Sequence, residues 1–171
     1  MADTSTGSVP NSKLLQIDTG ILNVKGACIV LVKTEWNAFI TDELEKAAIT
    51  ELQKHKIKKI ISIIVPGAVE IPFAIKSFWD NSGAKTRPDA FIALGCVVRG
   101  DTPHFEYVCK AVTDGVVKLN LILPVPTIFG VLTVDNEEQA KERIGGKHGH
   151  KGTEAAITAL KMISLRKTFA K

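Results

Sequence analysis

The chain has 171 residues, of which 45% are hydrophobic and 23% are charged, and this is the composition of an ordinary soluble globular protein. Its length is sufficient for one domain with a single sizeable core. No apolar run approaches the roughly 20 residues that a membrane-spanning helix needs. The 22 lysines and arginines exceed the 18 acidic residues only slightly, for a net charge of +4. Without a basic stripe and interleaved aromatic residues, this small excess does not predict nucleic-acid binding.

The N-terminal segment and the cysteines bear on domain organisation and location. The first twelve residues are small and polar, and they lack the patterns of a secretory signal or a transit peptide. We therefore expect a flexible N-terminal arm over residues 1–12 and a single domain over residues 13–171. The three cysteines, Cys28, Cys96 and Cys109, form no C-x-x-C pair. The first two lie in apolar runs, so we favour buried, reduced thiols and a cytoplasmic location.

Short apolar runs rich in β-branched residues alternate with amphipathic stretches along the chain. The sequence predicts strands over 26–33, 59–65, 90–98 and 127–132. The helices that follow them are predicted over about 40–52, from Pro72 onward, over 105–120, from Asn136 to Gly145-Gly146, and over 153–169. Near-continuous apolar strands separated by helices form parallel sheets that are covered on both faces. We therefore predict an α/β protein with three layers and a central four-stranded parallel sheet.

The residues that directly follow the predicted strands are chemically informative. Trp36 and Asn37 follow the first strand, residues 66–70 (PGAVE) follow the second, and residues 100–104 (GDTPH) follow the third, whereas Phe129 lies within the fourth. In parallel sheets, ligands bind outside the carboxyl ends of the strands, which meet at one edge. We therefore expect the first three groups to lie together in one site.

Residues 100–104 connect a predicted strand to a predicted helix. The glycine lets the backbone approach a ligand, and free N–H groups at a helix N-terminus attract anions, so this turn is a candidate phosphate site. The alternative is an ordinary capped turn in which Asp101 or Thr102 is the N-cap. The Asp101 carboxylate repels phosphate unless it points away. His104 can carry protons near neutral pH, although a single histidine more often has a structural role.

Other side chains also have both a functional and a structural interpretation. Glu70 can accept hydrogen bonds from ligand hydroxyls, or it can complement the dipole of the helix that it begins. Trp36 offers a flat face for stacking, or it packs at the edge of the core. Arg143 can bind phosphate through its guanidinium fork. For the following residues 145–152 (GGKHGHKG), we favour a solvated basic loop or an anion contact over a metal site, because the two histidines lack a third ligand at recognisable spacing.

Five motifs occur in order along the chain: WN at 36–37, PGAVEIP at 66–72, RGDTPHFEYV at 99–108, IFG at 128–130 and EQAKERIGGKHGHKG at 138–152. Together they resemble the lumazine synthase family, and the match covers nearly everything after the N-terminal arm. The resemblance implies a flavodoxin-like α/β/α sandwich whose N-terminal arm adds a strand to a neighbouring subunit.

The resemblance also implies an assembly and a reaction. Members of the family form homo-pentamers with the active site between adjacent subunits. A short turn such as that at 145–152 accompanies icosahedral shells of sixty subunits, for which riboflavin synthase is a candidate partner. The reaction condenses 5-amino-6-(D-ribitylamino)uracil with 3,4-dihydroxy-2-butanone 4-phosphate. Its products are 6,7-dimethyl-8-ribityllumazine, phosphate and water, in the penultimate step of riboflavin biosynthesis, and it requires no metal and no redox cofactor.

The site residues that the resemblance implies come from two subunits. In one subunit, Trp36 is expected to stack on the pyrimidine, where many members have phenylalanine, and Val97 and Val98 are expected to line the ring pocket. Asn37 and Glu70, with Ala68 and Val69 beside them, are expected to contact the ribityl chain. Gly100, Asp101 and Thr102 are expected to hold the phosphate, and His104 is expected to be the catalytic proton shuttle. The neighbouring subunit is expected to supply Phe129, Lys151 and Arg143, which grips the phosphate. Many members have a small residue where Asp101 stands, so only its backbone is expected to contact the ligand.

Three other functions are compatible with a fold of this kind. A receiver domain needs an acidic phosphoacceptor after its third strand, where this chain has Arg99 and Gly100. A flavin carrier needs a hydroxyl- and glycine-rich loop after its first strand, and residues 33–37 (KTEWN) are not such a loop. The remaining alternative is a non-catalytic shell or a flavin- or lumazine-binding protein, which could lose His104 and Arg143 without penalty.

Overall fold

A computed structural model describes residue 21 and residues 24–170 of the chain. The predicted arm over 1–12 and its boundary with the domain lie outside the described residues, so both stay predictions. The strands and helices are β1 (Cys28–Thr34), α1 (Ala38–Lys54), β2 (Lys59–Val65), α2 (Ile71–Asn81), β3 (Ala90–Val98), α3 (His104–Ile122), β4 (Thr127–Val134), α4 (Glu137–Lys141), β5 (Ile144–Gly146), β6 (Gly149–His150) and α5 (Lys151–Phe169). Among the residues described, no helix is both long and apolar enough to cross a membrane.

The central sheet has four strands in the order β2-β1-β3-β4. Each neighbouring pair is parallel, and the register aligns Thr34 with Val65 and Val98 with Val134. All four carboxyl ends therefore lie at one edge of the sheet. This arrangement confirms the predicted α/β fold with a four-stranded parallel sheet.

Helices cover both faces of the sheet. Successive residues of a strand point to opposite faces, and the central strands are apolar at both sets of positions, so both faces are buried. On one face, Leu31 packs in a buried cluster with Leu44 of α1 and Leu160 of α5. On the other face, Val32 packs with residues of α2 and α3. Helices α1 and α5 approach each other closely at Gly152, where an added Cβ would come 2.9 Å from the carbonyl carbon of Leu44. The two clusters are the cores of the three-layer sandwich.

The segment after β4 differs from the prediction. Asn136 is the N-cap of α4, as predicted, and its Oδ1 accepts a hydrogen bond from the Gln139 backbone N at 2.9 Å. However, the helix ends at Lys141 instead of continuing to Gly145-Gly146. Residues 144–150 instead form the antiparallel hairpin β5–β6. Gly145 has φ 117° and Gly149 has φ 74°, a region open to glycine. The predicted loop is therefore an ordered hairpin, in which residues 145–147 and 149 are exposed, as expected of a solvated segment.

The cysteines agree with the expectation of buried thiols in two cases. Cys28 and Cys96 are buried, Cys109 is half-buried, and all three are free. Burial, followed by the charge of Glu137, raises the pKa of Cys96 to about 11. This thiol is therefore protonated at neutral pH.

Candidate functional site

The ends of β1 and β2 are joined by backbone hydrogen bonds. The Glu35 N–H donates to the Val65 carbonyl at 2.8 Å, and the Trp36 N–H donates to the Pro66 carbonyl at 3.3 Å. These bonds hold Trp36 beside the turn that follows β2. Its indole is 74% exposed, so Trp36 does not pack as an aromatic residue of the core edge within this chain.

The side chains of Glu70 and Trp36 both lie close to Gly67. An added Cβ at Gly67 would lie 3.0 Å from Oε2 of Glu70 and 3.9 Å from Cδ1 of Trp36. Glu70 ends a 3₁₀ turn over Ala68–Glu70 and is the N-cap of α2, but its side chain makes no capping bond. In this turn Ala68 is buried and Val69 is exposed. The structure thus brings a carboxylate and an aromatic ring together, as the sequence predicts.

Asn37 connects this cluster to β3. The residue adopts the left-handed conformation, with φ 57° and ψ 44°, which asparagine tolerates better than most residues. Its Nδ2 donates to the Cys96 carbonyl at 2.8 Å. The Thr41 hydroxyl, which is buried, donates to the Thr34 carbonyl at 2.9 Å. These bonds fix the turn between β1 and α1, and sequence reasoning did not foresee the Asn37–Cys96 contact.

The turn between β3 and α3 lies on the same edge of the sheet. Val97 and Val98 are half-buried at the end of β3, and residues 100–104 are exposed. Pro103 directly precedes α3, and its side chain has no atom that could accept a capping bond. Of the two N-cap alternatives, Asp101 and Thr102, it is Thr102 whose hydroxyl oxygen accepts a hydrogen bond from the His104 N–H, at a long 3.4 Å. The imidazole of His104 is thus held at the first position of the helix and faces solvent.

A salt-bridge cluster that the sequence analysis missed adjoins this turn. Arg99 donates from Nε to Asp135 at 2.9 Å and from Nη1 to Glu106. Its guanidinium carbon lies 4.1 Å from the ring centroid of Phe105. Hydrogen bonds from Arg99 hold the pKa of both carboxyl groups below their usual values, and the bond to Glu106 is the largest cause of the raised pKa of Arg99. The two acids lie 7 and 36 residues away in sequence, so spacing alone gave no signal.

The other three predicted site residues lie together elsewhere. Phe129, Arg143 and Lys151 line a groove of about 960 Å³ that runs along β4, between the C-terminal end of α3 and α5. The Lys151 N–H donates to the Arg143 carbonyl at 2.8 Å, so the two cationic residues are adjacent. Within the described residues, the lining of this groove includes none of the predicted site residues from the carboxyl edge. The structure therefore divides the predicted site residues into two groups.

The two cations of the groove already have partners within the chain. Arg143 donates from Nη1 to the Gln139 carbonyl at 2.7 Å. The Lys151 ammonium contacts both carboxylate oxygens of Glu154, at 2.9 and 2.8 Å. A ligand that binds Lys151 must compete with Glu154, whereas Arg143 keeps further N–H groups for a ligand, because a guanidinium has five.

The histidines of the hairpin have different surroundings. His148 Nε2 lies 3.4 Å from Glu142, whereas the Nδ1 atom of His150 is buried without a hydrogen-bond partner. Burial lowers the pKa of His150, and the charges of Glu43 and Glu154 offset this only in part. Over the described part of the chain, no group of three or more His, Cys, Asp or Glu side chains is arranged to hold a metal ion.

Comparisons with known proteins identify the family of this chain. The sequence profile of the family described as 6,7-dimethyl-8-ribityllumazine synthase matches residues 26–167. The 6,7-dimethyl-8-ribityllumazine synthase of Parabacteroides distasonis is 48% identical over 139 residues, which cover 80% of this chain and 84% of that protein. The enzyme of the same name from Porphyromonas gingivalis is 45% identical over 169 residues, which cover 98% of this chain and 95% of that protein. The chain belongs to the 6,7-dimethyl-8-ribityllumazine synthase family.

Proposed function

We propose that this chain is a transferase that condenses 5-amino-6-(D-ribitylamino)uracil with 3,4-dihydroxy-2-butanone 4-phosphate. The products are 6,7-dimethyl-8-ribityllumazine, phosphate and water. Family membership supports this reaction, because the profile matches most of the chain and relatives of that name are similar over nearly its full length. The observation that carries the proposal is the carboxyl edge of the sheet. Trp36 and Glu70 both lie close to Gly67 there, and the exposed turn before His104 follows β3 at the same edge.

The side chains at this edge suit the chemistry of the condensation. The uracil amine attacks the ketone, a Schiff base forms, phosphate leaves and the ring closes. None of these steps requires a protein nucleophile, a metal or a redox cofactor. Holding two substrates in register can supply up to roughly 7–11 kcal/mol of the barrier, and an exposed histidine at the phosphate turn can carry the protons. In this proposal Asn37 and Glu70, with Ala68 and Val69 beside them, bind the ribityl chain. Val97 and Val98 line the ring pocket, and Trp36 stacks on the ring. The backbone of Gly100, Asp101 and Thr102 holds the phosphate, and His104 shuttles protons.

The phosphate needs a cation that the turn itself does not supply. The adjacent Arg99 is engaged with two carboxylates. Arg143, Lys151 and Phe129 line the groove along β4, so we propose that a neighbouring copy presents them to this edge, with Arg143 gripping the phosphate. A head-to-tail contact of this kind forms a ring when its rotation closes, and we propose a homo-pentamer whose N-terminal arms each add a strand to a neighbour.

We further propose that the pentamers form an icosahedral shell of sixty subunits. The connection between α4 and α5 supports it, because it is a compact hairpin with only Lys147 and His148 between its strands. Riboflavin synthase is the candidate partner of such a shell. We place the enzyme in the cytoplasm, because its three cysteines are free thiols and such thiols persist in reducing compartments. Light scattering at neutral pH tests the assembly, and a sample that contained only pentamers would contradict the shell.

The activity is tested by measuring lumazine formation from the two substrates by absorbance, with and without enzyme. The control without enzyme is necessary because these substrates can condense on their own. We expect a clear excess over that background. If a correctly assembled sample gave no excess, the non-catalytic shell or ligand-binding protein would become the better interpretation.

A further inference from the structure

Arg99 contacts both ends of the turn over residues 100–103. Its backbone N–H donates to the Val134 carbonyl at 2.9 Å, which joins the last residues of β3 and β4. Its side chain then reaches past the turn to Phe105 and Glu106, in the first turn of α3. The Nε atom binds Asp135, the residue before the N-cap of α4. One side chain thus connects the strand before the turn, the helix after it and the neighbouring strand end.

The charges of this cluster make Arg99 unsuitable as a direct phosphate ligand. Its guanidinium already serves two carboxylates, Glu106 and Asp135, so the three side chains together carry a net negative charge. An incoming phosphate would displace one carboxylate and would be repelled by the other. The cluster therefore fits an orienting role better than a binding one.

The same cluster adds little to global stability. The side chains of Arg99, Glu106 and Asp135 are 44%, 56% and 62% exposed, and exposed ion pairs contribute little unless several charges form a network. Here one guanidinium binds two acids and covers an aromatic ring, which restricts its conformation. The expected consequence is a local restraint on residues 100–104.

Hydrogen bonds extend from this cluster toward Arg143. The Asp135 backbone N–H donates to the side-chain oxygen of Gln139 at 3.0 Å. The Gln139 carbonyl in turn accepts the bond from Nη1 of Arg143 at 2.7 Å. The turn before His104 and the groove arginine are therefore connected through Asp135 and Gln139.

We propose that Arg99 is a positioning residue that holds the phosphate turn and His104 in the geometry for reaction, through its contacts with Phe105, Glu106 and Asp135. The inference rests on the proposed function of that turn. A displaced turn binds phosphate less well and moves the imidazole, whereas the cluster around Trp36 and Glu70 stays in place. Loss of Arg99 should therefore affect the two substrates differently.

The first experiment compares steady-state kinetics of Arg99→Ala, Arg99→Lys and a control, Lys110→Ala, which removes an exposed ion pair with Asp114 on the same helix. For Arg99→Ala we expect the KM of the phosphorylated substrate to rise about 10- to 100-fold, because misplacement by about 1 Å can cost a hundredfold. The KM of the uracil should change by less than about threefold, since its contacts do not move. Arg99→Lys should be intermediate, because an ammonium lacks the planar fork.

A role in stability alone gives a different pattern. It would lower kcat by reducing the folded fraction and leave both KM values unchanged. The proposal is overturned if Arg99→Ala shows that pattern, or if its kinetics match those of Lys110→Ala. If Arg99→Ala fails to assemble, the KM values of Arg99→Lys and Glu106→Gln are compared with those of Lys110→Ala instead. Each of these two substitutions weakens the salt-bridge cluster without removing it entirely.

Amide hydrogen exchange separates this inference from the proposed function. In Arg99→Ala we expect faster exchange than in the wild type at residues 99 and 106, whose backbone N–H groups at the two ends of the turn bond to the Val134 and Pro103 carbonyls. Exchange at Trp36, whose N–H bonds to the Pro66 carbonyl, should not change. If the wild type lacked activity but exchange at the turn still rose, the proposed function would fail and the restraint by Arg99 would stand. If the wild type were active and exchange at the turn were unchanged, the role of Arg99 would fail and the function would stand.

Discussion

The carboxyl edge of the sheet and the groove along β4 are two incomplete sites on one chain. The carboxyl edge has an exposed ring and a carboxylate around Gly67, together with the exposed turn that we propose binds the phosphate. The arginine beside this turn is already bound to two carboxylates. The groove has Arg143, Lys151 and an exposed Phe129. Each region supplies what the other lacks, and this complementarity favours a site completed between copies of the chain.

The two regions also differ in how they are built. Three different strand ends meet at the carboxyl edge, so sheet topology fixes their relative positions. In the groove, Arg143 and Lys151 are placed by the hairpin β5–β6, and the Lys151 N–H to Arg143 carbonyl bond joins its two ends. The position of the groove cations therefore depends on a short local element. We expect the groove to be more easily disturbed by substitutions than the carboxyl edge.

The largest effects on activity are expected for two single substitutions, one in each region. His104→Ala should lower kcat about a hundredfold without abolishing turnover, because general acid–base catalysis is lost while the substrates remain aligned. Arg143→Ala should lower kcat/KM for the phosphorylated substrate by a similar factor of about a hundred, through the loss of a charge-assisted bond. Both are measured as lumazine formation above the uncatalysed rate.

Mixing the two variants tests whether the regions meet between copies. If each site combines His104 from one subunit with Arg143 from the next, random co-assembly restores about a quarter of the sites. Refolding the two variants together should then give far more activity than either alone, and samples refolded separately and then mixed are the control. Activity that merely averaged the two variants would show that each chain uses its own pair. An unchanged rate in His104→Ala would refute the proton-shuttle assignment.

Trp36 tests the carboxyl edge alone. Because its indole is 74% exposed, Trp36→Ala should change thermal stability little. Loss of stacking on a pyrimidine costs about 1–3 kcal/mol, so the KM of the uracil substrate should rise about 5- to 150-fold at an unchanged KM for the phosphorylated substrate. Trp36→Phe keeps an aromatic face and should stay within about threefold of the wild type. Equal losses in both variants would mean that the ring acts through packing and not through stacking.

The same contrast explains which parts the sequence could predict. Strand ends were predictable because runs of apolar, β-branched residues mark β1 to β4, and a parallel sheet brings their ends to one edge. The placement of Trp36 and Glu70 beside Gly67 follows from that topology. The assignment of Phe129, Arg143 and Lys151 to a neighbouring subunit came only from family resemblance, since no local pattern indicates a contact with a second copy.

The sequence did not predict the end of α4 or the Arg99 salt-bridge cluster, and each has a physical reason. The helix α4 was predicted to reach Gly145-Gly146, but two glycines can end a helix or form a hairpin, and the choice depends on tertiary packing. The Arg99 cluster joins Glu106 and Asp135, which are distant from each other in sequence. Long-range ion pairs leave no periodic signal, so only the folded arrangement reveals them.

His150 gives a smaller, pH-dependent test of the hairpin. Burial lowers its pKa, against the charges of Glu43 on α1 and Glu154 on α5, so the folded state binds its proton less readily than the unfolded state does. Stability from this group is therefore complete above the unfolded pKa of about 6.5 and falls as pH drops below it. Thermal unfolding of the wild type should show this acid loss, and His150→Gln should show less of it. His148→Gln in the same hairpin is the matched control, and parallel pH profiles for wild type and His150→Gln would exclude the effect.

The smallest effect should occur beneath the carboxyl edge, at Cys96. Burial and then the charge of Glu137 raise its pKa to about 11, so only about one thiol in a thousand is ionised at pH 8. Its backbone carbonyl, not its thiol, holds Asn37, and Cys96→Ala should therefore keep kcat/KM within about twofold. Peptide mass spectrometry after iodoacetamide treatment at pH 8 should find Cys96 unlabelled in the native protein and labelled after unfolding in urea. Rapid native labelling would mean that the end of β3 opens readily. In that case the carboxyl edge, and not the hairpin, would be the more mobile of the two regions.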